Sequence, residues 1–190
     1  MDRVANILYA DKIISKEEQV IVKYGLEIAG SNVLGFVITL VIGRLFASLL
    51  EGLLLWMLLF PLRKYAGGYH AKTKGKCIVI SIGLLIIAFS FWNKNVHINV
   101  EYLIISQIFC IVIFFMTPVE NRNKPLEEVE INIYKHKTRI LLIFQELLLA
   151  ISIIIEWEKG FKIITMCYLI VFIIVMVGKL ACVKKKFRTE

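Results

Sequence analysis

The chain has 190 residues, of which 58% are hydrophobic and 20% charged, and it carries a formal net charge of +8. A soluble domain is about half apolar and about a quarter charged, so this balance, with a mean hydropathy of +0.75, excludes an ordinary soluble enzyme. Long continuous apolar runs exclude a transmembrane β-barrel, which needs short alternating segments, and basic residues that form no single aromatic-laced stripe argue against nucleic acid.

In chain order, residues 1–25 read as an amphipathic, interfacial lead-in. Asp2, Asp11, Glu17 and Glu18 deny it the apolar core of a secretory signal peptide. Ser15 followed by Glu18 fits a capping box opening a helix that carries Val20, Ile21 and Tyr24. Apolar spans are predicted over 26–45, 46–62, 77–92, 100–117, 140–155 and 161–183. Spans of this kind need about 20 apolar residues each, and the second and fifth are the weakest. The fold expected is all-α: a single polytopic membrane domain over 1–190, with the lead-in at 1–25, a six-span bundle over 26–183 and a basic tail at 184–190. Glu51 falls in a predicted outer turn and is expected to be solvated. Residues 118–139 read as the longest polar loop.

Of the 23 Lys and Arg residues, all but Arg44, Lys94, Lys159 and Lys162 fall on one side of this six-span layout. Excess Lys and Arg marks the cytoplasmic side, so both termini and the loop over 62–77 are expected in the cytoplasm of a cell-membrane protein that meets anionic lipid.

That loop reads LRKYAGGYHAKTKGKC from Leu62 to Cys77. It holds one imidazole, His70, and one thiol, Cys77, the latter after three lysines and at the predicted start of a helix. Lysines and the positive end of a helix both favour a thiolate, the reactive form of cysteine, and His70 is placed to take and return a proton. Seven residues of unbroken helix would separate the two Cα atoms by about 10 Å. The dyad therefore demands a bent path, which Gly67, Gly68 and Gly75 permit. A chance pairing of one histidine with one cysteine explains the same spacing. The other cysteines, Cys110, Cys167 and Cys182, are scattered; they suggest neither disulfides nor a metal site, and nothing in the chain calls for a cofactor.

The run from Arg63 through Tyr65, Ala66, Gly67, Gly68, Tyr69, His70 and Ala71 to Cys77 resembles the signature of the accessory gene regulator B family, membrane-embedded cysteine endopeptidases of Gram-positive quorum sensing. Length, layout, basic amphipathic start and the segment TPVENRNKPL after the fourth span extend the likeness over nearly the whole chain. The resemblance implies that Cys77 is the nucleophile and His70 its base. It implies a short propeptide substrate with an amphipathic N-terminus and an acidic C-terminal tail, cleaved before that tail through a thioester on Cys77 and then closed to a thiolactone or lactone. It also implies a homodimer. Lys72, Lys74 and Lys76 then offer a landing surface for the acidic tail, although they serve equally as topology determinants; Lys124, in the polar loop with Pro118, Glu120 and Pro125, is a further substrate-contact candidate.

Supporting roles are open at four positions. Arg63 is either part of the site or a lipid-facing anchor. Gly67 and Gly68 either offer N–H groups to an oxyanion or simply form a turn. Glu27 either orients His70 or is solvated at the interface. His97 and His136 are expected to be bystanders. The alternative to the enzyme is a non-enzymatic membrane protein that exports or anchors a peptide; a small-molecule transporter would want more polar groups at mid-membrane depth than the spans suggest.

Overall fold

The structure, a computed structural model, describes residues 6, 8–11, 13–69, 73–92, 98–120 and 127–186. Six long helices are described: α1 (Lys16–Phe46), α2 (Leu49–Ala66), α3 (Lys74–Trp92), α4 (Val100–Met116), α5 (Glu128–Ile154) and α6 (Glu158–Lys186). A helical turn at residues 8–10 precedes them, and the only pairing of β type among the described residues is a single bridge between Gly67 and Val119. The expected all-α class holds.

Local sequence sets most of the ends. Ser15 N–H donates to Glu18 Oε2 at 2.8 Å and Glu18 N–H donates to Ser15 Oγ at 3.2 Å, the predicted capping box. Ser48 Oγ accepts from Glu51 N–H at the start of α2, and Asn99 Oδ1 accepts from Tyr102 N–H at the start of α4. Each satisfies a backbone donor that the helix itself leaves unpaired.

Two predicted boundaries change. The lead-in helix and the first apolar stretch form one continuous helix, because residues 16–46 contain no proline and nothing caps an end within them. The polar loop expected over 118–139 is helical from Glu128 onward. Glu127 N–H donates to Glu130 Oε2 at 3.3 Å there, a second box of the same kind, and apolar residues at helical spacing continue the span toward its N-terminus.

The chain divides into two compact units, Met1–Ile38 and Thr39–Glu190. In the first, Gln19 Nε2 donates to Asn6 Oδ1 at 2.8 Å, joining α1 to the segment before it. In the second, the turn at Ala47–Ser48 folds α2 back on the end of α1. Gly43 and Gly52 meet at that crossing: a Cβ on Gly43 would lie 2.6 Å from Gly52 Cα, so the two backbones touch.

The second unit is built around α6, which packs against α2, α3, α4 and α5. Phe161, Ile163, Cys167, Tyr168, Val171 and Val175 on α6 are buried. Polar groups stitch the helices within this core. Gln145 Nε2 donates to Leu58 O at 3.0 Å, near the point where Pro61 deprives α2 of a backbone donor. Gln107 Nε2 donates to Glu146 Oε2 at 2.8 Å. The outer faces are apolar: Ile104, Ile108, Ile111 and Phe115 on α4, and Ile140, Ile143, Phe144, Leu147 and Ile151 on α5, are all exposed. Among the described residues, α1 and Glu158–Cys182 of α6 are long and apolar enough to cross a bilayer, while Gly75–Ser90 and Val100–Met116 are shorter apolar helices. Of the six expected spans, the first and the sixth thus coincide with a helix of spanning length and composition. Charge interrupts two of the other helices: α2 carries Glu51, Arg63 and Lys64 within 18 residues, and the first three turns of α5 are largely polar.

Glu51 also departs from expectation. It is 5% exposed, not solvated, and its Oε1 lies 3.1 Å from Lys159 Nζ. The α1–α2 turn is thereby tied to the first turn of α6.

Candidate active site

The segment joining α2 to α3 is where the sequence concentrates its chemistry, and it opens on a glycine turn. Helix α2 ends at Ala66 because Gly67 and Gly68 take φ values of +70° and +115°, conformations that a side chain with a Cβ adopts only at a cost. Gly67 N–H donates to Arg63 O at 3.3 Å and Gly68 N–H to Val119 O at 3.2 Å, while Val119 N–H returns a bond to Ala66 O at 2.9 Å. Tyr69 N–H then donates to Ile174 O of α6 at 3.1 Å. The two glycine N–H groups are thus used by the turn itself. Of the two roles open for Gly67 and Gly68, the hydrogen bonds take the turn and not the oxyanion donor.

Helix α3 begins at Lys74, with Thr73 at its head: Thr73 Oγ1 accepts from Lys76 N–H at 3.4 Å and Thr73 O from Cys77 N–H at 3.1 Å. Cys77 lies in the first turn of α3, where the helix dipole favours negative charge. The helix that carries Cys77 does not extend back beyond Lys74, and the path that joins it to position 70 lies outside the described residues. His70 itself, Lys72 and Lys124 lie outside the described residues, as does the side chain of Lys74.

Cys77 is a free, half-buried thiol in the wall of a cavity of about 60 Å³. The cavity lies between α2, α3 and α6. Its polar walls are Arg63, Tyr69 and Cys77; the others are Ile80 and Leu84 from α3 and Ile173, Ile174 and Val177 from α6. A volume of this size admits a few water molecules or a small group. Arg63 lines this cavity, and its Nη1 donates to Ser81 Oγ at 3.4 Å. Its guanidinium keeps its charge at any working pH, so a fixed cation shares the cavity with the thiol.

More positive charge surrounds the same end of α2. Lys64 Nζ and Lys137 Nζ stand 5.5 and 5.0 Å from the ring centre of Tyr65, and Tyr65 meets Tyr134 edge to face at 5.6 Å. Lys76 is exposed on α3. Glu27 belongs to the N-terminal unit, half-buried on α1. Among the described residues no three His, Cys, Asp or Glu side chains are grouped as metal ligands.

Chemically, the arrangement offers one free thiol at a helix N-terminus, one permanent cation in the same cavity and an aliphatic wall. Sequence reasoning found Cys77 and Arg63 but passed over Tyr69, Ser81, Val119, Ile174 and Gly178. Only Gly178 carried a signal, as a lone glycine inside an apolar helix, where a close backbone approach is one explanation; the others look like ordinary span or loop residues.

Comparison with known proteins bears on what such a site does. Residues 1–181 match the family described as accessory gene regulator B. The chain is 28% identical to protein FsrB of Enterococcus faecalis over 62% of its own length and 50% of that protein's. It is 28% identical to putative AgrB-like protein 2 of Clostridium perfringens over 82% of this chain and 78% of the relative. A putative AgrB-like protein of Listeria welshimeri is 30% identical over 66% of this chain and 62% of its own. The chain thus spans half the length of the first of these relatives and more of the other two. No solved structure matches it.

Proposed function

This chain belongs to the accessory gene regulator B family, and on that premise we propose that it is a membrane-embedded cysteine endopeptidase and cyclase for a quorum-sensing propeptide. The observation that carries the reading is Cys77, a free thiol in the first turn of α3 that shares a cavity with Arg63.

The reaction runs in two transfers. His70 takes the Cys77 proton, and the thiolate attacks the carbonyl of the peptide bond before the acidic C-terminal tail. The C–N bond breaks, the departing amine receives the proton from His70, and the acyl group stays on Cys77 as a thioester. A Cys or Ser within the propeptide then attacks this thioester, closes a thiolactone or lactone, and leaves Cys77 as the thiol. Thioester exchange keeps the acyl group activated through the second transfer, where hydrolysis would discard it. Arg63 stabilises negative charge beside Cys77, and the lysines Lys72, Lys74, Lys76 and Lys124 attract the acidic tail.

In this reading the helices lie in a bilayer as a multi-pass, six-span bundle, with the apolar outer faces of α4 and α5 against lipid and both termini and the 67–77 segment in the cytoplasm. The protein works as a homodimer.

Co-expression with a propeptide bearing an internal Cys or Ser and an acidic tail tests the assignment. Cys77→Ala abolishes tail release and His70→Ala nearly does, while wild type accumulates a hydroxylamine-sensitive adduct on Cys77. Full cleavage by the Cys77→Ala protein refutes the enzyme and leaves peptide export or anchoring.

A further inference from the structure

The segment from Gly67 to Tyr69 crosses α6 backbone against backbone. Tyr69 N–H bonds to Ile174 O, and one turn later α6 presents Gly178, which is buried. A Cβ on Gly178 would lie 2.7 Å from Tyr69 N, 2.8 Å from Gly68 C and 2.9 Å from Gly68 Cα. All three are main-chain atoms, so no side-chain rotation relieves the contact and the crossing segment itself must shift.

That segment has little room to shift without loss. Gly68 is held by Val119 O, and Val119 by Ala66 O. Gly68 also faces α6: a Cβ there would meet Ile174 Cγ2 at 2.7 Å and Ile174 O at 2.9 Å. The crossing therefore depends on a glycine on each side. Tyr69, the residue seated by it, lines the same cavity as Cys77, and so do Ile174 and Val177 of α6.

Building on the reading of Cys77 as the nucleophile, we infer that Gly178 is a positioning residue of the active site. By admitting the Gly68–Tyr69 backbone into contact with α6, it sets the distance between the wall that carries Tyr69 and the first turn of α3. Gly178 is about a hundred positions from Cys77 in the chain and acts on it only through this crossing.

The test uses the full chain in membrane vesicles, in a Cys182→Ser background so that the exposed thiol does not report. Two rates are read: alkylation of Cys77 by N-ethylmaleimide, and acyl-enzyme formation with an acidic-tailed propeptide added over a range of concentrations, both per folded protein. A displacement of about 1 Å at a reacting centre costs up to about a hundredfold in rate. Gly178→Ala is expected to lower acyl-enzyme formation by about ten- to hundredfold with KM little changed, and to alter the alkylation rate several-fold. Gly83→Ala on α3, whose Cβ would meet nothing within 4 Å, leaves both as in wild type. Tyr69→Pro compared with Tyr69→Ala probes the crossing without touching α6: both lose the phenol, only the proline loses the N–H, and the proline variant is expected to be the slower. Wild-type rates in Gly178→Ala, or equal rates in the two Tyr69 variants, overturn the inference. A wild-type chain that is alkylated normally but never forms an acyl-enzyme refutes the endopeptidase reading instead, while the alkylation rates still decide the role of Gly178.

Discussion

Arg63 Nη1 donates to Ser81 Oγ at 3.4 Å, which holds a guanidinium from α2 over the face of α3 that also carries Cys77, one turn earlier. A cation that cannot lose its charge is thus held in the cavity that Cys77 also lines. Under the proposed reaction, removing it is expected to slow thioester formation: Arg63→Ala lowers propeptide processing by about a hundred- to a thousandfold, the range found when a single stabilising donor is lost. Arg63→Lys recovers part of it, because an ammonium keeps the charge but not the planar fork. Ser81→Ala loses one long hydrogen bond and about 0.5–1 kcal/mol, with a correspondingly small effect on rate. Mass spectrometry of the released tail reads all three.

The pair of Glu51 with Lys159 predicts an asymmetric response. Glu51 is buried and Lys159 is 67% exposed, so Lys159→Met strands a buried carboxylate and costs about 1–3 kcal/mol. The double variant Glu51→Gln with Lys159→Met recovers much of that loss, since no charge is then left unpaired. Thermal unfolding in detergent compares them; a double variant no more stable than Lys159→Met alone contradicts the pairing argument.

The N-terminal box responds to acid. The Ser15 backbone N–H first, and the Ser15 hydroxyl second, hold the Glu18 carboxyl below the usual carboxylate range. Because the folded value is depressed, the stabilisation is fully present above the unfolded value and is lost as pH falls through the folded one. Amide exchange at Glu18 and Gln19 is therefore expected to accelerate as the pH falls below the usual carboxylate range, after correction for intrinsic rates, and Glu18→Gln removes that dependence.

Glycine substitutions sort by position. Gly67→Ala forces a positive φ on a residue with a Cβ and drives that atom against Val119 O, so it is expected to destabilise by about 1–3 kcal/mol. Gly83→Ala enters open space within α3 and stabilises by about 0.5–1 kcal/mol if anything. The difference in Tm between the two variants checks the turn geometry directly.

Much of this protein was legible in its sequence for a local reason. Helix ends follow from Ser15 and Glu18, from Ser48 and from Asn99, each of which satisfies a backbone donor three residues away, and apolar runs mark the helices between. Cys77 at the head of a helix, with a glycine turn before it at Gly67 and Gly68, is equally local, so the candidate thiol could be read without a fold. The exceptions among the ends, such as Glu128 rather than a residue near 140, arise where a polar face hides a helix from a search for apolar runs.

What only the tertiary structure decided depends on residues far apart in the chain. Glu51 reads as a solvated turn residue until Lys159 and the first turn of α6 close over it. Arg63 reads equally as a site residue or a lipid-facing anchor, and only the fold brings it to Ser81 and the cavity. Gly67 and Gly68 read as oxyanion donors or a turn until Val119, some fifty residues later, accepts from one of them. Gly178 reads as an unremarked span residue until Tyr69 is laid across it. Burial and backbone contact are properties of which helices meet, and no periodicity within one helix encodes its partner's position; composition and capping therefore determined the helices, and packing around α6 determined the site.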